Sequence, residues 1–428
     1  MTEWQTEPLI DCLEALIDYR GKSPLKSISG IPVLSAKVVK TAGLIRPVEQ
    51  KIAPEYYAIW MTRGLPKPGD VVMTTEAPMG EIIQLDEETA QFALGQRIVC
   101  MRGKKGKLDN TFLRYLLASP KQQEILASYA TGTTVLGISQ KALRSIPISF
   151  PNLAQQIEIG RLLALLDDKI DLNRRMNQTL EAMARALFRD WFVDFGPTRA
   201  KMEGRPPYLA PEIWNLFPDR LDDEEKPEGW GTSTIGQEVN VVGGSTPSTK
   251  EPAFWGDDIS WATPKDLSSL ITPVLLSTER HITDAGLSQI GSGLLPSGTV
   301  LLSSRAPIGY MAITQIPVAV NQGFIAMICN KQLSNVFVWL WTQANIETVH
   351  QNANGSTFQE ISKANFRPIK VTVAIPELLR AFDEIARPLF NRIVANEKES
   401  RTLAATRDFL IPKLMSGKVR VDDAASFG

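Results

Sequence analysis

Along this chain, apolar and polar positions alternate in two different modes, and each predicts a different kind of element. From Asn152 to Trp191 the pattern steps by three and four. Leu163, Leu166, Ile170, Asn173, Asn177, Leu180, Ala184, Leu187 and Trp191 form an apolar seam with two polar layers in it. That spacing keeps one face of a helix against a partner and predicts a coiled coil. The seam returns 223 positions on as Ala386, Leu389, Ile393, Asn396, Ser400, Leu403, Arg407, Leu410 and Leu414, so that Asn173 falls on Asn396. Asparagines at such positions either face each other and fix register at some cost in stability, or stay solvated on separate helices. Pro388 lies early in the second seam. A proline costs about 3 kcal/mol in a helix interior, which predicts that this helix begins at Leu389 or kinks there.

Outside the seams the period shortens. The run Gly30 to Val39, the run Gly69 to Thr75 and the run Arg97 to Arg102 read as strands, with Ala77-Pro78-Met79-Gly80 forcing a turn before Glu81 to Leu85. Asn110 to Ser119 reads as a helix with Phe112, Leu113, Leu116 and Leu117 on one face and Pro120 after it. A threonine-rich loop, Tyr129 to Thr134, precedes a short edge strand at Ile146-Pro147-Ile148. The expected unit is a compact α+β domain.

The second half repeats this order. Ile259 to Lys265 answers Ile31 to Lys37 at an offset of 228, and Ala306-Pro307-Ile308-Gly309 answers Ala77 to Gly80 at 229. Gln96 meets Gln322 at 226. From Ala130 onward the offset settles at 223 and stays there into the seam. Insertions therefore separate the two globular halves, whereas the path from the threonine loop through the helix admits none. A duplicated fold on a spacer of fixed length implies pseudo-twofold symmetry and a bipartite ligand. The expected layout is residues 1–150 and 229–373 as two similar globular domains, separated by coiled-coil helices at 151–195 and 374–418. An extended connector is expected at 196–228 and a tail at 419–428.

Composition narrows the class. A chain of 428 residues at 43% hydrophobic content can hold several cores, and it contains no apolar run long enough to span a membrane. Its first nineteen residues carry five acidic and no basic side chains, unlike a secretory signal, so a cytoplasmic location is expected. Cys12, Cys100 and Cys329 are scattered and only two histidines are present, which leaves no metal-ligand spacing. Net charge is −1, but residues 20–150 hold 18 basic against 10 acidic side chains. That excess is either a solvated surface or a nucleic-acid footprint.

Catalytic motifs fail on chemistry. Arg205-Pro206-Pro207-Tyr208 has the shape of an amino-methyltransferase motif but places a cation where an acceptor for the exocyclic amine is required. Pro218-Asp219 with Glu224-Glu225-Lys226 matches the letters of a nuclease metal site, yet too few residues intervene for two strands. No phosphate-binding GxxxxGK[ST] loop occurs. Neither a catalytic residue nor a cofactor is expected.

Several phrases resemble the specificity (S) subunits of type I restriction-modification systems. They are Asp11-Cys12 with Ile17 to Lys22, Trp191 to Phe195, Phe217 to Leu221, Pro227-Glu228-Gly229-Trp230, Gly243 to Pro247, and Leu410 to Gly417. Their order and double occurrence cover essentially the whole chain, although Trp4 lacks the Pro-x-Gly-Trp opening found at Trp230. The resemblance implies a non-catalytic DNA-reading subunit with two target recognition domains. Each would read half of a split, asymmetric duplex target, and the two antiparallel helices would act as a ruler. In that family the helices dock two modification subunits, which bind S-adenosylmethionine and methylate adenine, and restriction subunits add an ATP-driven translocase and nuclease. The alternatives are a non-catalytic scaffold joining partners through coiled coils, and a stand-alone DNA-modifying enzyme.

On that reading Lys22, Lys37, Lys40, Arg97, Lys104, Lys105 and Lys107, with Thr131, Thr133 and Thr134, are the DNA-binding candidates of the first domain. Lys250, Lys265, Arg305, Gln322, Asn354, Ser356 and Thr357 are those of the second. The spacer is carried by Leu163, Leu166, Ile170, Asn173, Leu180, Leu187, Leu389, Ile393, Asn396, Leu403 and Leu410. The stretch from Leu163 to Trp191, at about 1.5 Å per residue, spans roughly 43 Å. One turn of duplex DNA is about 34 to 36 Å, so half-sites about one turn apart are expected.

Overall fold

The computed structural model describes residues 4–421 except 20, 22, 42, 133–134 and 356–358. The chain divides into two compact units, Met1–Ile170 with Thr402–Gly428, and Asp171–Arg401.

In the first unit a four-stranded antiparallel sheet runs in the order Leu13–Asp18, Ile98–Gly103, Val71–Thr75, Met79–Gln84. Every residue of Val71–Thr75 is buried, because the sheet is covered on both faces. Side chains alternate across a strand, so Val71, Met73, Val99 and Met101 enter one core while Val72, Ile98 and Cys100 enter the other. The first core is closed by helix Asn110–Ala118, whose N-terminus is capped by the Asp109 carboxylate accepting from Phe112 N at 2.9 Å. The second is closed by a three-stranded sheet, Lys51–Ile52, Ile31–Leu34, Ala93–Leu94, with the last pair parallel. A ribbon of Gln5–Pro8 with Pro147–Phe150 completes the unit.

The second unit repeats this plan of main sheet, second sheet and ribbon, with one strand added. Its main sheet is ordered Asn240–Val242, Phe324–Ile328, Val300–Ser303, Met311–Thr314, with Val274–Leu275 added in parallel at the edge. The second sheet is Arg280–Ile282, Trp255–Ala262, Ala319–Val320, and the ribbon pairs Gly231–Thr234 with Lys370–Val373. The same alternation sends Val300, Leu302, Ile325 and Met327 to one core and Leu301, Phe324 and Ala326 to the other. Gly244 must be glycine, because a Cβ there would stand 1.6 Å from the Val320 carbonyl oxygen.

Two long helices, Leu153–Phe192 and Pro376–Leu414, contribute to both units. Within the first unit Leu163 shares a core with Leu410 and Leu414, and Leu166 packs against it. Within the second, Leu180, Leu187 and Leu389 pack against a core holding Ala184, Trp191 and Ile393. Ile170 and Leu403 are half-buried. Asn173 and Asn396 face each other, with Asn173 Nδ2 donating to the Asn396 carbonyl at 3.4 Å and Asn396 Nδ2 donating to Asn177 Oδ1 at 2.8 Å. Contacts pair rising numbers on one helix with falling numbers on the other: 173 lies against 396–400, and Trp191 against Phe382 at 5.9 Å between ring centroids. The helices are therefore antiparallel there.

Three expectations are corrected. The second helix does not begin at Leu389. It runs unbroken from Pro376, with a proline in its first turn and Pro388 on its exposed side, where water can serve the carbonyl that a proline leaves unpaired. The stretch from Gly30 to Val39 is not one strand, because Val38 N and Val39 N both turn back to the Ser35 carbonyl at 3.0 and 3.1 Å. Residues 196–228 are not extended. They form helices Gly196–Met202 and Pro211–Trp214 and bury Trp214 and Phe217, with Phe217 edge-on to Trp191 at 5.1 Å.

Candidate nucleic-acid interface

In the first unit the loops at one end of the main sheet enclose a cleft of about 470 Å³, lined among others by Thr75, Glu76, Gln96, Arg97, Thr131 and Ser139. Backbone bonds fix its frame. Thr75 N donates to the Arg97 carbonyl at 2.8 Å, Ile138 N to the Thr75 carbonyl at 3.0 Å, and Thr131 and Gly137 exchange bonds of 2.8 and 2.9 Å. Arg97 takes a left-handed φ of 61°, uncommon for a side chain of its size. Its Nε lies 2.8 Å from Glu76 Oε1, with both side chains about half exposed.

The second unit builds the same frame. Ser304 N donates to the Gly323 carbonyl at 2.8 Å, Ile361 N to the Ser304 carbonyl at 3.0 Å, and Asn354 and Glu360 exchange bonds of 2.9 Å each. Ala77 and Ala306 precede their prolines with φ of 55° and 54°. The side chains on this frame differ. Arg305 occupies the place of Glu76, Gly323 that of Arg97 and Glu360 that of Gly137, and Arg305 Nη1 stands 3.5 Å from Glu360 Oε2. Gln322 Oε1 accepts from the Thr246 hydroxyl at 2.6 Å.

The geometry gathers Gln96, Arg97 and Thr131 into one cleft, and sets Arg305 and Asn354 on the matching backbone frame of the second unit. Other candidates lie elsewhere or are engaged. Lys104, Lys105 and Lys107 follow the far end of strand Ile98–Gly103, about 20 Å from Arg97 at roughly 3.3 Å per residue. Lys107 Nζ is taken up by Glu7 at 2.6 Å and the Asp11 carbonyl at 3.3 Å. Lys40 stands 4.0 Å from Glu81, and Lys265 pairs with Glu279 at 2.8 Å. Lys37 and Lys250 are exposed. Lys22, Thr133, Thr134, Ser356 and Thr357 lie outside the described residues.

Three features were not picked out from the sequence. The carboxylates of Glu76 and Glu360 partner Arg97 and Arg305. Arg280 lies over the Trp255 ring at 3.6 Å and 5.2 Å from the Trp261 centroid, an arrangement that pre-orients a guanidinium. Only the charge reversal between Glu76 and Arg305 at offset 229 could have flagged the first two. The cysteines are not poised as nucleophiles: burial pushes the Cys12 thiol up to about 11 and Cys329 to about 12, and raises Cys100 well above the usual thiol value. Among the described residues no His, Cys, Asp and Glu cluster has the arrangement to hold a metal ion, and no helix is long and apolar enough to cross a membrane.

Comparison with known proteins gives consistent matches. The chain matches the type I restriction modification DNA specificity domain twice, over residues 19–182 and 227–401. It is 23% identical over 402 residues to the type I restriction enzyme HindI specificity subunit of Haemophilus influenzae, covering 82% of this chain and 87% of that one. It is 24% identical over 361 residues to the MjaIX specificity subunit of Methanocaldococcus jannaschii, covering 83% and 78%. The crystal structure of the type I restriction-modification S subunit from M. genitalium shares its fold, with a TM-score of 0.57, 17% identity and 96% of both chains covered.

Proposed function

This chain belongs to the type I restriction modification DNA specificity family, and from that premise we propose that it is the sequence-reading, non-catalytic subunit of a type I restriction-modification complex. Residues 1–150 and 229–373 serve as target recognition domains, each reading one half of a split, asymmetric duplex site. The helical segments 151–195 and 374–418 set the distance between the half-sites and dock two modification subunits, with the stretch 196–228 as connector and 419–428 as tail. Methyl transfer, ATP use and cleavage reside in the modification and restriction subunits, and the complex works in the cytoplasm.

The observation that carries this reading is the pair of matching backbone frames. The same backbone hydrogen bonds recur in both units, while the side chains placed on them differ. A duplicated frame with unlike side chains suits a protein that must hold two different short sequences in the same manner. Leu172 and Met183 support the docking role in the second unit. They are eleven residues apart on one face of the first long helix and remain 46% and 52% exposed, as a partner surface requires.

The test is to express the chain with its modification subunits in a host free of adenine methylation and to map methylated adenines across the genome. The expected result is one motif of two short half-sites around a gap of fixed length, absent when this chain is omitted. Methylation of a continuous motif, or the same methylation without the chain, would refute the reading.

A further inference from the structure

Each frame holds one arginine paired with one carboxylate, but at different positions. In the first unit the carboxylate sits on the turn after strand Val71–Thr75 and the arginine precedes strand Ile98–Gly103. In the second unit the arginine has moved to the turn, as Arg305, and the carboxylate to the loop position of Gly137, as Glu360. Surface charges that served only solubility would have no reason to reappear as an opposed pair after both residues had changed place.

The pairing changes what an arginine binds. An isolated surface guanidinium is drawn to any phosphate, which gives affinity without sequence information. Arg97 approaches Glu76 through Nε and Arg305 approaches Glu360 through Nη1, and one carboxylate cannot occupy all five donors of a guanidinium, so each arginine keeps donors in a fixed plane for a second acceptor. The carboxylate offsets the charge that phosphates would attract. Two parallel donors match O6 and N7 of guanine, and a carboxylate accepts from the N4 amine of cytosine. An arginine beside a glutamate therefore complements both edges of one G·C pair. Exchanging their places on the frame changes the position or the orientation of the pair that fits.

We infer that Glu76 with Arg97 in the first unit, and Arg305 with Glu360 in the second, are the specificity-determining pairs, each reading one G·C base pair in its own half-site. This inference rests on the DNA-reading function proposed above.

The test uses the full chain assembled with its modification subunits. Methylation rates are measured on duplexes in which each base pair of both half-sites is substituted in turn. Wild type should discriminate at one G·C pair in each half by tenfold or more, about the range of a bidentate base contact. Arg97→Ala should abolish discrimination at that pair in one half-site and leave the other half intact, and Arg305→Ala should do the reverse. Arg97→Lys keeps the charge at an exposed position and should lose the same discrimination, because an ammonium cannot make the bidentate contact. Glu76→Gln should tighten binding to random duplex and steepen its salt dependence, as the uncovered guanidinium turns to phosphate. Full discrimination retained by Arg97→Ala or Arg97→Lys, or an even loss over all sequences as for a phosphate contact, would overturn the inference. So would half-sites containing no G·C pair. A wild-type complex that methylates no split motif would instead bring down the proposed function, and this inference with it.

Discussion

Arg407 occupies a seam position of the second long helix where an apolar side chain is expected, and the first unit accommodates it through Asp167. The Asp167 carboxylate accepts from Arg407 Nη1, Arg114 Nη2 and the Tyr115 hydroxyl, each at 2.6 Å. It thereby ties both long helices to helix Asn110–Ala118. The side chains of Asp167, Arg114 and Arg407 are 14%, 25% and 26% exposed, and Tyr115 is buried. Removing one partner of a fully buried pair costs about 3 to 5 kcal/mol. Solvent reaches both guanidiniums and lowers that figure, whereas the buried phenol left without an acceptor adds about 1 to 3 kcal/mol. Asp167→Ala should therefore cost about 3 kcal/mol. For a unit of this size that is a fall in melting temperature of roughly 6 to 12 °C. Arg407→Leu should behave quite differently, within about 1 kcal/mol of wild type, because Asp167 keeps two partners and the seam gains an apolar side chain. Scanning calorimetry on the full chain, with amide exchange to assign the transition to the first unit, measures both. An Asp167→Ala shift below about 2 °C, or an Arg407→Leu loss as large as that of Asp167→Ala, would refute this account of the network.

Two further predictions concern the second unit. Asn173 Oδ1 and Asn396 Oδ1 are buried without a hydrogen-bond partner, so replacing Asn173, Asn177 and Asn396 together with leucine should raise the urea midpoint of that unit. Asn396→Leu alone should lower it, because Asn177 then loses its donor, and a rise there would contradict the layer as described. Burial pushes the Glu181 carboxyl up to about 7, with Arg185 acting weakly against it. The folded state thus holds a proton that the unfolded state releases near pH 4.5, so stability should fall as pH rises from about 4.5 to 7 and level off above. Glu181→Gln should remove most of that slope and stabilise the unit at pH 8 by about 2 to 3 kcal/mol; an unchanged pH profile would count against the buried carboxyl.

Much of the architecture was legible because it rests on local periodicity. The three-and-four spacing located both long helices, and the offset of 223 made Asn173 and Asn396 equivalent, but that they face each other is decided by the fold. Where sequence reasoning failed, tertiary contacts decided the outcome. Pro388 argued for a helix start, but its position on the solvent side left the helix free to run from Pro376. Residues 196–228 looked extended because proline and charge dominate them, yet Phe217 had an aromatic core within reach and Trp214 packs edge-on to Tyr208. The site was less legible than the fold. Lys107 could be counted among basic residues, but its pairing with Glu7, a hundred positions away, depends on the ribbon that brings the N-terminal strand back. Glu76 and Arg97 are twenty-one residues apart and meet only because the turn after one strand packs beside the turn before its neighbour. The sequence could give the candidates but not their partners.

The most direct measurement changes the spacer and leaves the readers alone. One heptad is inserted between Ile170 and Asp171 and one between Arg401 and Thr402, preserving the seam, and methylated adenines are mapped as for wild type. Seven residues add about 10 Å, or about three base pairs at roughly 3.4 Å each. The account predicts unchanged half-sites with the gap lengthened by about three base pairs. Methylation at the original spacing, or altered half-sites, would contradict it.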